Sequence, residues 1–417
     1  MLHRIALLAL AAPKRIIGLA VLVMVAAAVF GVPVARSLSS GGFEDPTSES
    51  ARASRLLTDK FAQGDAQLLF TVTAPGGAEG AVARNAGLAI VDLLRADPHV
   101  AGVVSPWTSP PGAPTDLVSK DRATGLIVTG ITGGDSNAQK YAKALSDTVM
   151  AEVAPRYDGV TVRAGGSAMV YSQTNDQTQR DLLVMESIAL PLSFLVLVWV
   201  FGGLLAAALP MAVGALAIVG SMSVLRLITF STDVSIFALN LSTAMGLALA
   251  IDYTLLIISR YRDELAGGAP PDRALMRTMA TAGRTVLFSA TTVALSMAAM
   301  VLFPMYFLKS FAYAGIATVG FAALAAIVVT PAAIVLLGPR LDAFDVRRLT
   351  RRVLRRPEPV PKPVEQLFWY RSTKFVMRRA VPVGLVVVTL LILLGLPFAG
   401  VKWGYPDDRV LPQSASA

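Results

Sequence analysis

The chain has no cysteine and only two histidines, His3 and His99, far apart in sequence. Without thiols there is no disulfide framework and no thiolate metal site, and two scattered histidines argue against a zinc centre. Charge is also scarce. Asp, Glu, Lys and Arg make up 16% of 417 residues, against 54% hydrophobic, and the mean hydropathy is +0.60. A soluble domain has no use for so much apolar surface, so the class is a membrane protein. No Gly-x-Ser-x-Gly elbow and no histidine in an apolar run is present. An intramembrane enzyme has neither its nucleophile elbow nor its metal ligands here. We therefore expect no enzymatic activity, no metal and no cofactor. The net charge of +9 fits cytoplasmic loops of a membrane protein, not a nucleic-acid surface.

Against this background one stretch stands out. Leu239–Arg262, LNLSTAMGLALAIDYTLLIISRYR, is apolar enough to span a bilayer yet carries Asp252 beside Tyr253. An acidic residue at membrane depth is costly and by default a functional candidate. Asp252 lies about 12 Å of helix rise from Arg260, which puts it in the half of the span nearest the basic end. Gly246, six residues earlier, would let another helix approach closely. A protonated Asp252 is cheap to bury, whereas a deprotonated one needs a donor, and Tyr253 or Ser289 is placed in sequence to be one.

The rest of the chain reads in order as machinery around that carboxylate. Ile16 to Val34, after Lys14 and Arg15, is an apolar run longer than a signal core and is read as an uncleaved first span. Residues 38–181 contain no membrane-length run. Their pattern predicts strands at Gln67–Thr73, Val100–Val104, Gly125–Ile131 and Val160–Ala164. Helices are predicted at Glu79–Ala96 and Asn137–Val153, the latter capped by Ser136 or Asn137. That β-α-β-β-α-β order is the ferredoxin-like split βαβ unit. Met169–Arg180 is polar and leads into further spans at Leu182–Phe201, Leu204–Leu225, Val234–Ile258, Val286–Phe307, Phe311–Leu337 and Ala380–Ala399. Glu186 falls at a membrane edge and is read as an interfacial residue.

Arginines set the orientation. Arg260, Arg262, Arg273, Arg277 and Arg284 follow the fourth span, and a denser run from Arg340 to Arg379 follows the sixth, while the opposite short loops hold only Arg226 and Lys309. The basic segments belong in the cytoplasm, facing anionic lipid, and residues 38–181 outside. The expected organisation is a cytoplasmic N-terminus and first span (1–37), an exterior domain (38–181) and a five-span bundle (182–338). A basic linker (339–379), a seventh span (380–400) and the start of a second exterior domain (401–417) follow.

The first and seventh spans have matching flanks: basic residues before, then Gly, an aromatic (Phe43, Tyr405), acidic residues and Pro, then a Ser-rich stretch. The seventh span thus reads as the start of a second half. The expectation is that the chain is a fragment, or that the second half is a separate chain.

Gly246–Leu265 (GLALAIDYTLLIISRYRDEL), with Gly41–Ser50 (GGFEDPTSES) and Gly404–Pro412 (GYPDDRVLP), resembles the mycobacterial membrane protein large (MmpL) family of the resistance-nodulation-division (RND) superfamily. The resemblance covers nearly the whole chain, but only the N-terminal half of a typical member. It implies an α-helical polytopic membrane protein of about seven spans with an exterior α+β ferredoxin-like porter domain. It also implies proton-driven export of lipids or lipid-linked molecules, mycolate esters among them, across the bacterial plasma membrane for cell-wall construction. By the same resemblance Asp252 and Tyr253 are the proton relay, with Ser289, Thr291 and Thr292 of the fifth span beside it. The implied partners are a lipid substrate, protons, membrane lipids and a second half or a homo-oligomer, with no nucleic acid. A sterol-sensing or protein-export accessory role, or haem uptake, is the alternative within the superfamily.

Overall fold

The computed structural model describes residues 1–39, 41–61, 63–109, 117–342, 363, 366 and 368–401. They divide into two units, one within Met1–Phe344 and one within Asp345–Pro406.

The first unit contains one sheet. Strands β1 (Ala66–Thr73), β2 (Val100–Val104), β3 (Thr124–Ile131) and β4 (Thr161–Gly165) lie in the order β2-β3-β1-β4. Every neighbouring pair is antiparallel, with Phe70 opposite both Ile127 and Ala164. This is the split βαβ topology read from the sequence. Alternation sends Leu68, Phe70 and Val72 of β1 and Ile127 and Ile131 of β3 to one face. There they meet Ile90, Val91 and Leu94 of α4 (Ala81–Ala96) and Ala138, Ala142 and Leu145 of α5 (Gly134–Thr148). Full burial of a Leu- or Phe-sized side chain contributes roughly 1.5–3 kcal/mol, so this layer holds the sheet region together.

The start of α5 departs from expectation. The helix begins at Gly134, three residues before Asn137, with Gly133 at the N-cap position, so positions 136 and 137 fall inside the helix. Instead Asp65, just before β1, accepts the amides of Gly133 and Gly134 at 2.9 and 2.8 Å. A carboxylate distant in sequence satisfies orphan donors that a local cap would otherwise take. Gly133, at φ 116°, makes the tight entry that this needs. The expected end of α5 is a π-helical turn at Val149–Val153. Residues 81–96 start two positions later than read, with Gly80 as the N-cap.

Two helices of the first unit were not expected, and neither was Phe368–Arg378 in the second, where the sequence reads as basic linker. The first, α1 (Leu2–Ala11), is too short to span and buries only Ala6 and Ala9. The second, α3 (Glu49–Phe61), buries only Ala51 and leaves Leu56, Leu57 and Phe61 exposed, with Ser48 Oγ accepting the Ala51 amide.

Among the described residues seven helices, some of them together with the helical turn that follows, are long and apolar enough to cross a membrane. They are α2 (Pro13–Gly31), α6 (Ser167–Phe201), α7 (Leu204–Thr229), α8 (Phe237–Ala266), α9 (Pro271–Ala298), α10 (Tyr306–Leu337) and, in the second unit, α12 (Ala380–Gly395). The chain is a multi-pass membrane protein. The polar stretch after β4 and the second span form one 35-residue helix, α6. The fifth span corrects the reading of Val286–Phe307. Its helix starts at Pro271, where proline suits the first helical turn, and ends in a single turn at Ala299–Leu302 before Pro304. Phe307 belongs to the next helix. The arginines at 273, 277 and 284, read as loop, ride on α9 itself.

Two arginines cap helix ends. Arg226 of α7 donates to the Phe30 carbonyl at the end of α2 and lies 4.9 Å over the Phe30 ring. Arg262 of α8 donates to the Phe201 carbonyl at 3.3 Å and lies 5.7 Å over that ring. Each satisfies a terminal carbonyl with a cation where the helix dipole is negative. The second unit holds α11 (Phe368–Arg378) and α12, closed by a turn at Leu396–Gly400. Most of the basic linker, and all of Gly404–Pro412, lie outside the described residues.

Candidate functional site

Asp252 sits in the middle third of the 30-residue helix α8. It faces out of the bundle, and among the described residues nothing hydrogen-bonds or pairs with it. Ala244, Ala248, Ser259 and Asp263 share its exposure, at intervals of four and seven that keep them on one helix face. The stripe above Asp252 is therefore flat and lined by small residues.

Tyr253, turned about 100° from it around the helix, points into the bundle. It is 4% exposed, and its hydroxyl is buried without a partner among the described residues. The expected donation from Tyr253 or Ser289 to Asp252 is not made. Ser289 is half-buried on α9. Thr291 and Thr292 face outward from α9 and donate to the carbonyls of Leu287 and Phe288, at 2.8 and 2.9 Å. Bonding back one turn is how threonine satisfies itself in an apolar helix, and it leaves these hydroxyls turned to their own backbone. Gly246 is buried where α8 crosses α7 and α10. A Cβ there would lie 2.9 Å from Ile218 Cγ1 and 3.3 Å from Thr318 Cγ2.

Both ends of α8 are tied to neighbours. At the end nearest the sheet, Ser39 donates its amide to Val234 O and accepts from Ile236 N, at 3.0 and 2.8 Å. Its hydroxyl lies 3.2 Å from that of Tyr306. Phe43, from the Gly-Gly-Phe motif, packs 4.6 Å from Phe307 and 5.9 Å from Phe237, the first residue of α8. Gly42, at φ +94°, lets the chain pass the Tyr306 ring, which any Cβ would strike. The motif quoted for the resemblance is thus the joint between the sheet region and the starts of α8 and α10. At the other end Glu264 accepts from Arg260 at 2.6 Å and Arg277 at 3.4 Å, joining α8 to α9.

Sequence reasoning passed over Asn240 and set Glu186 aside as interfacial. In the fold both line a cavity of about 530 Å³ between α6, α7 and α8. The signal that would have found them is the one used for Asp252: an acid and an amide in apolar membrane segments.

The sequence profile of the MMPL family matches residues 42–383. A probable trehalose monomycolate exporter of Mycobacterium leprae (strain TN) is 31% identical over 426 residues, covering 95% of this chain and 44% of its own length. A putative membrane protein of Streptomyces coelicolor is 33% identical over 393 residues, covering 93% of this chain and 52% of that protein. A mycolic acid-containing lipids exporter of Mycolicibacterium smegmatis is 30% identical over 378 residues, covering 89% and 38%. The chain spans about half the length of these relatives or less. The chain belongs to the MMPL family.

Proposed function

We propose that the chain works within a proton-driven exporter that moves lipids or lipid-linked molecules to the envelope from the bacterial plasma membrane. The observation that carries this reading is Asp252, an acidic side chain on the outward face of a membrane-length helix with no partner in its own bundle. A carboxylate left against lipid is costly, so it is best explained by a partner surface or by proton exchange. Ala244 and Ala248, on the same face, allow a second helix bundle to approach closely. That bundle comes from a second half or from another copy of the chain.

In this reading Asp252 takes up and releases the proton. The neutral form tolerates burial under the second bundle and the charged form does not, so a proton gradient biases two arrangements of the bundles. Tyr253 completes the relay, with Ser289, Thr291 and Thr292 on α9 as its neighbours. The ties at Ser39, Phe43 and Tyr306 carry the shift to the sheet region, which positive-inside reasoning puts outside the cytoplasm. The names of the mycobacterial relatives support a lipid substrate, with mycolate esters the nearest class.

The test is Asp252→Asn in the complete transporter, with lipid export scored beside protein abundance. The substitution keeps shape and removes titration, so export should fall to background while insertion and abundance stay normal. Normal export at normal abundance would make the carboxylate structural and end the relay assignment.

A further inference from the structure

A second charge stands at the depth of Asp252. Arg284 falls at the middle of α9, as Asp252 does of α8. The two helices are consecutive, packed together and joined by a short turn, so they run antiparallel. Arg260 of α8 and Arg277 of α9 both reach Glu264, which sets the helices level at that point. From there Asp252 is about 12 Å along α8 and Arg284 about 10 Å along α9. Arg273, Arg277 and Arg284 fall within about 40° of one another around α9. The stripe that reaches α8 through Arg277 is therefore the stripe that carries Arg284. Arg284 is exposed, as Asp252 is, and neither has a hydrogen bond or ion pair among the described residues.

The other charged groups around α8 lie toward helix ends. They are Arg226 on α7, Asp272, Arg273 and Arg277 on α9, and Lys309 on α10. Asp181 and Glu186 of α6 face the sheet-side end of α8. On α8 itself Arg260, Arg262, Asp263 and Glu264 fall in the last two turns, and its tyrosines are Tyr253 and Tyr261. On α10 the tyrosines, Tyr306 and Tyr313, open the helix. An arginine keeps its charge at any working pH, and such a charge is costly at membrane depth without a partner. A deprotonated carboxylate carries the same cost. Each is the other's remedy, because the guanidinium fork offers paired N–H donors to the two carboxylate oxygens.

We infer that Arg284 is the counter-ion of deprotonated Asp252. Its part in transport rests on the reading of Asp252 as the titrating group; the pairing itself does not. When Asp252 loses its proton, the arginine swings to it and holds the carboxylate on the surface of its own bundle. When Asp252 is protonated, the guanidinium snorkels along its stripe toward Arg277 and the basic end of the helix. The neutral carboxyl is then released to go under the second bundle. Arg284 thus weights the two arrangements between which a proton chooses.

The chain has no cysteine, so two introduced thiols report proximity without background. In the full chain in membranes, Asp252→Cys with Arg284→Cys should be bridged by a bis-methanethiosulfonate of short spacer. Ala244→Cys with Arg284→Cys, about 12 Å further along α8, should not. A second measurement reads the charge. Dicyclohexylcarbodiimide modifies protonated carboxyls in apolar sites, and mass spectrometry locates the adduct at Asp252. Near neutral pH, Arg284→Gln should speed this labelling about tenfold, the low end of the effect of removing an adjacent opposite charge. Arg284→Lys should label at close to the parent rate. Failure of the 252–284 pair to bridge, or a labelling rate that Arg284→Gln leaves unchanged, would overturn the pairing. Normal export by Asp252→Asn would instead end the relay reading and leave the pairing to these two measurements.

Discussion

Asp252 and Tyr253 are consecutive on α8 and face different surroundings: the carboxylate looks out of the bundle, while the phenol is 4% exposed with its hydroxyl unpartnered among the described residues. A buried hydroxyl without a partner costs about 1–3 kcal/mol. Tyr253→Phe removes that cost and keeps the ring. Thermal unfolding of the purified chain should therefore be unchanged or slightly raised. In a complete transporter the same change should reduce export if the hydroxyl joins the relay. A stability loss with normal export would show that the phenol is a packing element with a hydrogen bond of its own.

Gly246 and Gly320 give a matched pair inside membrane helices. A side chain at 246 meets Ile218 and Thr318 at once, whereas nothing lies within 4 Å of a Cβ at 320. Gly246→Leu overfills the crossing of α8 with α7 and α10 and should cost roughly 1–3 kcal/mol. Gly320→Ala should leave stability within about 1 kcal/mol of the parent. Denaturant titration in the same detergent checks both. Equal losses would mean that Gly246 does not set the approach of these helices.

The strands were legible because β1 and β3 are short apolar, β-branched runs bounded by polar residues and glycine, although Leu68–Phe70 and Leu126–Val128 break a strict alternation in sequence. The spans were legible by length. What escaped was set by partners distant in sequence. Asp65 caps α5 from the start of β1, which pairs with the end of β3 just before α5, so the local candidates Ser136 and Asn137 were misleading. The true start of the fifth span was hidden because its first turns carry arginine. The cavity was hidden for a related reason. Glu186 and Asn240 stand 54 positions apart, and only the packing of α6 and α8 on α7 brings them to one surface. For Asp252 the sequence supplied the residue and its depth, but not that Tyr253 turns away from it.

The last prediction concerns the tie between the sheet region and the first helix after it. Lys143 of α5 donates to Asp176 of α6 at 3.0 Å, both about half exposed. That hydrogen bond raises the lysine pKa above its usual 10.5, with burial opposing it. A lysine whose folded-state pKa is raised holds its proton more tightly when folded. Its stabilisation is therefore complete below the unfolded-state value of ~10.4 and fades as pH rises through the higher folded-state value. The tie should be indifferent to pH across the neutral range and weaken only in strong alkali. An exposed pair of this kind contributes about 1 kcal/mol or less, so Lys143→Met should lower stability slightly and remove that part of the alkaline loss. Hydrogen exchange at the start of α6, compared near neutrality and in alkali for both proteins, reads the effect locally. Equal alkaline loosening with and without the lysine would show that Asp176 is not what anchors α5 to α6.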